Sequence, residues 1–209
     1  YTNMRQIGMK RIGGLILIAL LAGCSSSASV QITTSFPSVL SEPKPINASI
    51  LIEDSFVTYV GTPNKNTRID IGASQVDLLK SAFSGLFDNV DFVTSLDQIT
   101  AGTDLIITPS VLEVQVSTPS DNYLNVFEVW IKYNLDIQSK DGALITNWFL
   151  PAYGKTPDSF MASKEKAIEQ ATVIALRDAG AKLMLDFYRI PAINDWLSRQ
   201  NITQESQSL

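Results

Sequence analysis

NVFEVWIKYNLDIQS, residues 125–139, alternates with a period of two. Phe127, Val129, Ile131, Tyr133, Leu135 and Ile137 fall on one side, and Glu128, Lys132, Asn134 and Asp136 on the other. Successive side chains of a strand point to opposite faces, so the pattern predicts an antiparallel strand with one face on a core and one in water. Trp130 departs from it, standing on the polar side between Glu128 and Lys132 and near Val126. An indole in that place is either part of a recognition patch or is covered by a helix or by the N-terminal segment.

Lys140-Asp141-Gly142 turns the chain into a second run, Leu144 to Leu150. A two-residue Asp141-Gly142 turn places Leu144, Trp148 and Leu150 on the core face. A three-residue turn with Gly142 in the left-handed conformation places Ile145 and Phe149 there instead. The first register buries more apolar area and is preferred. It also sets Tyr153 opposite Trp130, so Val126, Trp130 and Tyr153 form the candidate interaction patch.

Upstream, Ser49 to Glu53 reads as a strand, with Phe56 to Val60 continuing it or forming another. Gly61 to Asn66 has the composition of a loop. A helix follows, capped by Ser74, with Val76, Leu79, Phe83 and Leu86 as its buried stripe. Val90 to Thr94 and Leu105 to Thr108 are strand-like, and Pro109 marks a bend before Val111 to Val116, where Leu112, Val114 and Val116 share a face. Downstream, a long helix runs from Ser163, its N-cap, to Tyr188, with Ile168, Ala171, Ala175, Leu176, Ala179, Leu183 and Phe187 facing the sheet. Pro191 breaks it, and a short helix from Ala192 to Arg199 docks back through Trp196 and Leu197. The expected fold is α+β: an antiparallel sheet of five to six strands, two main helices packed on one face, and a short C-terminal helix.

The 209 residues, 45% of them hydrophobic, suffice for one domain, placed at 46–200, with a loose polar tail at 201–209. Histidine is absent, which removes the usual general base and the commonest metal ligand. One cysteine cannot form an internal disulfide or a zinc cluster. No Gly-rich phosphate loop is present, and neither a metal nor a cofactor is expected.

That single cysteine, Cys24, closes LILIALLAGC, residues 15–24. Met9-Lys10-Arg11 forms a basic start, and Ile12 to Leu21 an apolar run of about ten residues, short of the roughly 20 a membrane span needs. Leu21-Ala22-Gly23-Cys24 resembles a bacterial lipobox, which implies a signal peptide over 1–23, cleavage before Cys24 and acylation of its thiol and new amine. Two or more acyl chains anchor stably where one does not. Ser25, where lipoproteins retained in the inner membrane commonly carry aspartate, points to the outer membrane, with the protein facing the periplasm. Tyr1-Thr2-Asn3 precede either candidate start, Met4 or Met9. Residues 24–45 are rich in serine and proline and read as a flexible tether. Removing Arg5, Lys10 and Arg11 from the 16 basic residues leaves 13 against 21 acidic ones, a net charge of −8 for the mature chain. Such a body does not suit nucleic acid as a partner, nor electrostatic docking on anionic lipid.

The order lipobox, tether, strand, helix, meander and long helix resembles the small YajG-type bacterial lipoproteins. The resemblance is strongest at Phe160-Met161-Ala162-Ser163 and at Ile193-Asn194-Asp195-Trp196-Leu197-Ser198-Arg199-Gln200-Asn201, and looser at Asp104 to Pro109. The auxiliary lipoproteins of ABC-type lipid transporters share this order. The resemblance implies a non-catalytic binding or scaffolding module held to the membrane by its lipid, with an unidentified envelope protein or lipid as partner. The alternatives are an accessory lipoprotein of lipid or lipopolysaccharide transport, or an enzyme that modifies the cell wall. Ser163-Lys164-Glu165-Lys166 matches the Ser-x-x-Lys of penicillin-binding enzymes, and Ser120-Asp121-Asn122 lies upstream of it, but Lys-Thr-Gly is absent, the chain is short for that fold, and a helix cap followed by surface lysines explains it. Glu53-Asp54 is an acid pair of the kind glycosidases use across a cleft, and equally of the kind that is simply solvated.

Overall fold

The structure is a computed structural model that describes residues 27–32, 42–160 and 163–207. In chain order its elements are β1 (Ala28–Gln31), β2 (Lys44–Leu51), α1 (Asp54–Val57), β3 (Val60–Asn64), β4 (Thr67–Asp70), α2 (Gly72–Leu86), β5 (Phe87–Val93), β6 (Leu105–Ser117), α3 (Pro119–Asn122), β7 (Val126–Ser139), β8 (Leu144–Pro157), α4 (Lys164–Asp186) and α5 (Pro191–Gln207). The fold is α+β. A five-stranded sheet has the order β5-β2-β6-β7-β8, and a three-stranded sheet the order β1-β4-β3.

The large sheet is mixed rather than antiparallel. β6, β7 and β8 form the expected antiparallel meander. β2, however, runs parallel to both of its neighbours, β5 and β6. Parallel strands need a long crossover, and α2 supplies it between β2 and β5. The chain then passes to the other side of β2 through residues 94–104, whose Thr103 hydroxyl bonds the buried Ser49 hydroxyl at 2.7 Å. β2 is therefore covered on both faces, which is why Ser49 to Ile52 is a near-continuous apolar run rather than an alternating one.

β7 is the spine of the core. Phe127, Val129, Ile131, Tyr133, Leu135 and Ile137 are all buried, at 0–5% exposure, as their period predicts. Burying each large apolar side chain contributes about 1.5–3 kcal/mol. α2 and α4 pack on this inner face, with Leu79, Phe83 and Leu86 from α2 and Ile168, Ala175, Leu176 and Leu183 from α4 in one buried cluster. The alanines of α4 permit close approach to β8. A Cβ at Gly154 would stand 2.0 Å from the Ala171 carbonyl oxygen.

The β7–β8 turn combines features of both expected registers. Gly142 adopts φ +76°, and the Ser139 N–H bonds the Ala143 carbonyl at 2.9 Å, so the turn is the three-residue, left-handed one. Left alone it would send Ile145 and Phe149 inward. The pairing then shifts by one residue, from Gln138↔Leu144 to Ile137↔Thr146, with Ile145 as the extra residue. Trp148 and Leu150 return to the core side, opposite Leu135 and Tyr133, while Leu144 and Phe149 stay 58% and 50% exposed. The bulge restores the register that buries more apolar area.

Other segments differ from their sequence expectation. Within 24–45, read as tether, Ala28–Gln31 forms β1, which pairs in parallel with β4, and β2 already begins at Lys44. Phe56 lies on a helical turn rather than a strand, and 61–66 is a hairpin rather than a loop. α2 starts at Gly72, whose N–H bonds the Asp70 carboxylate at 3.3 Å, and Ser74 lies within it, donating to the Ile32 carbonyl at 2.7 Å. β6 is one strand through Pro109, which falls where β6 has passed the end of β2 and an edge tolerates a missing N–H. A register shift between Val111 and Glu113 leaves Leu112 59% exposed while Val114 is buried. α5 continues to Gln207, through most of the segment read as a loose tail.

Candidate functional site

The outer face of β6, β7 and β8 carries three successive cross-strand rows. Gln115, Trp130 and Tyr153 make the central row, each pair directly opposite. Glu113, Lys132 and Pro151 flank it on one side, and Ser117, Glu128 and Lys155 on the other. The Trp130 and Tyr153 rings meet at 5.3 Å between centroids with a 40° tilt. Both side chains are half-buried. Val126 is on the same face but two positions from Trp130, with Glu128 between, opposite Pro157. The structure thus brings Trp130 and Tyr153 together and sets Val126 at the margin.

The charges around the rings are paired. Lys132 Nζ bonds Glu113 Oε2 at 2.7 Å, and Gln115 Nε2 bonds Glu113 Oε1 at 2.9 Å. Those two donors, Lys132 first, hold the Glu113 carboxyl below the usual carboxylate range. On the other side Tyr153 donates its hydroxyl to Glu128 Oε1 at 2.6 Å, and Asn122 donates to Glu128 Oε2 at 3.1 Å. The Glu128 bond, followed by partial burial, pushes the Tyr153 phenol up to about 12. Asn122 also holds the Val126 carbonyl at 3.0 Å. It belongs to α3, capped by Thr118 and Asp121, and the turn beyond it has Tyr123 and Asn125 at φ 58° and 54°.

The backbone of Tyr153 is tied as well. β8 is an edge strand, and its exposed N–H and C=O groups would invite further pairing. The Tyr153 N–H bonds Asp178 Oδ2 at 2.9 Å, and Lys182 Nζ bonds the Pro151 carbonyl and Asp178 Oδ2, both at 2.7 Å. Two residues of α4 thus close this stretch of the edge and fix the ring of Tyr153.

Beside Trp130 lies an open groove of about 490 Å³ between β6 and β3. Glu113, Gln115 and Leu112 form one wall and Tyr59, Thr62 and Pro63 the other. β3 crosses β6 so closely that a Cβ on Gly61 would lie 2.8 Å from Val114 Cβ. Behind the groove, the buried Tyr133 hydroxyl has no hydrogen-bond partner among the described residues. Burial, with Tyr59 nearby, raises its pKa. Tyr59 itself is shifted up by burial and by the Glu113 charge.

The other candidates fare differently. Cys24 lies outside the described residues. Ser163 Oγ accepts from the Lys166 N–H at 3.3 Å, and Lys166 Nζ bonds Glu169 at 2.7 Å, so these residues form a helix cap and a surface ion pair. Glu53 and Asp54 are exposed at the start of α1. Among the described residues no group of three or more acidic, histidine or cysteine side chains is placed to hold a metal, and no helix is long and apolar enough to cross a membrane. Sequence reading missed Glu128 as the partner of the Tyr153 hydroxyl, Asn122 as the partner of Glu128, and the β3 wall of the groove. The first follows from strand register, the second sits on the short helix α3, and the third was hidden in a stretch with loop composition.

No family model matches the chain, and no curated protein matches it. Among solved structures the chain is similar to a candidate neuraminyllactose-binding hemagglutinin homolog from Helicobacter pylori, at 13% identity over 84% of this chain and 100% of that one, with a TM-score of 0.48. It is also similar to a minor lipoprotein from Acinetobacter baumannii, at 14% identity over 74% and 96%, TM-score 0.41. A third is a candidate lipoprotein from Caulobacter crescentus, at 15% identity over 71% and 90%, TM-score 0.39.

Proposed function

We propose that this chain is a lipoprotein of the bacterial cell envelope, acylated on Cys24 and held at the periplasmic side of the outer membrane, where it acts as a non-catalytic binding or scaffolding module. The observation that carries the binding part is the outer sheet face: a paired Trp130 and Tyr153 in a frame of side chains that already satisfy one another. A contact surface needs an aromatic anchor with a polar surround, and this face has both. The anchoring part rests on Leu21-Ala22-Gly23-Cys24 and on Ser25. The acidic body leaves lipid chains, not surface charge, as the means of holding the membrane.

The test is photo-crosslinking in intact cells from a benzophenone amino acid at position 130, followed by membrane fractionation. A discrete adduct in the outer-membrane fraction, absent when the probe replaces exposed Leu185 on α4, is the expected outcome. Equal labelling from both positions, or protein recovered in the cytosol, contradicts it.

A further inference from the structure

We propose that the groove beside Trp130 is a saccharide site that seats one uncharged hexose-type ring against the indole; this rests on the outer face being a contact surface. Its volume, about 490 Å³, lies in the range of small-ligand sites, roughly 300–1,000 Å³. Trp130 lines the groove; the π-face of an indole is weakly negative, and the C–H bonds on one side of a sugar ring make a weakly positive apolar surface that matches it. Tyr153 backs the indole, and Asp178 and Glu128 fix Tyr153, so the platform is held in place before any ligand arrives.

The walls supply what ring hydroxyls require. Gln115 spends one N–H on Glu113 and keeps an amide oxygen and a second N–H. Thr62 and Tyr59 each add a hydroxyl that donates and accepts. Other ligand classes fit less well. Lys132, the cation of this row, is held by Glu113, which leaves little for a phosphate. The groove is open and its exposed lining atoms are mainly polar, which gives an alkyl chain no apolar depth. A peptide adding itself as a strand along this part of β6 meets β3, already packed on Val114 at Gly61.

Full-length protein labelled with 5-fluorotryptophan, in a detergent without a sugar headgroup, tests this by fluorine NMR. Trp130, Trp148 and Trp196 are the three tryptophans and serve as site and controls. Titration with the N-acetylglucosamine trimer and with maltotriose should move the Trp130 resonance saturably for at least one sugar, with a Kd of about 0.1–10 mM. Trp148 and Trp196 should stay still. Gln115→Ala and Thr62→Ala, on the exposed surface, should each raise that Kd by about fivefold or more. Trp130→Phe should bind more weakly and Trp130→Ala not at all by calorimetry, with near-ultraviolet circular dichroism confirming the fold of each. Co-sedimentation with insoluble cell-wall glycan points to a polymeric source, and binding of the soluble trimer alone to a free one. A Trp130 resonance that moves with neither sugar at about 50 mM, or wild-type affinity in the Gln115 and Thr62 variants, overturns the proposal. A position-130 adduct to a protein, together with that result, removes the saccharide and leaves the contact surface standing.

Discussion

Tyr133 and Tyr153 stand on opposite faces of neighbouring strands and meet different environments. Tyr133 is buried with a hydroxyl that has no partner among the described residues, and such a group costs about 1–3 kcal/mol. Tyr133→Phe keeps the ring against Phe56, 6.3 Å away, and discards the hydroxyl, so urea unfolding should show equal or higher stability, by about 1 kcal/mol. Tyr153 holds its proton against a carboxylate. Its pKa is raised from 10.0 to about 12 in the folded protein, so its contribution to stability is complete below pH 10 and is lost as pH rises from there towards 12. Glu128→Gln removes the carboxylate charge, and phenolate absorbance followed against pH should show one tyrosine titrating earlier than in the wild type. An unchanged titration curve would break the link between Glu128 and the aromatic platform.

At the scale of elements, the β7–β8–α4 unit carries the site. Gly154 and Gly142 separate two uses of glycine. Gly154→Ala drives a methyl into the α4 backbone and should cost about 3 kcal/mol or more, or prevent folding. Gly142→Ala meets nothing within 4 Å and should cost only its backbone strain, about 1 kcal/mol. Chemical unfolding of both variants checks the order. Asp178→Ala unties the Tyr153 N–H on the β8 edge, with an expected loss of about 1–2 kcal/mol and a tendency to self-associate, visible by light scattering. The period of two in β7 and the apolar stripes of α2 and α4 were legible in the sequence, because each element shows one face to a core. The parallel pairing of β2 was not, since a run buried on both sides carries no phase. The bulge at Ile145 was likewise hidden: the turn left two registers open, and an extra residue in β8 combines the three-residue turn with the register that buries more apolar area. β1 was masked by the composition of its neighbours, although Ala28, Val30 and Ile32 are buried. Of the candidate patch, Trp130 was legible as an exception to its strand's pattern, while Asn122 of α3, the β3 wall and Asp178 of α4 come from outside the hairpin that the pattern describes.

At the scale of the whole molecule, the proposed acylation would join an acidic α+β domain to a membrane through one residue, Cys24. The chain carries a net charge of −5, so the proposed attachment by acyl chains should survive about 1 M salt and alkaline washing, whereas a charge-docked protein would be released. With the proposed anchor in place, the sheet face with Trp130 would look into the envelope space. The direct test of the anchor is metabolic labelling with palmitate of cells that make the wild type and Cys24→Ala, followed by immunoprecipitation. The account predicts label in the wild type, none in Cys24→Ala, and a variant that is no longer held at the membrane by acyl chains. Label that persists without Cys24, or a wild-type protein that takes up none, would contradict it.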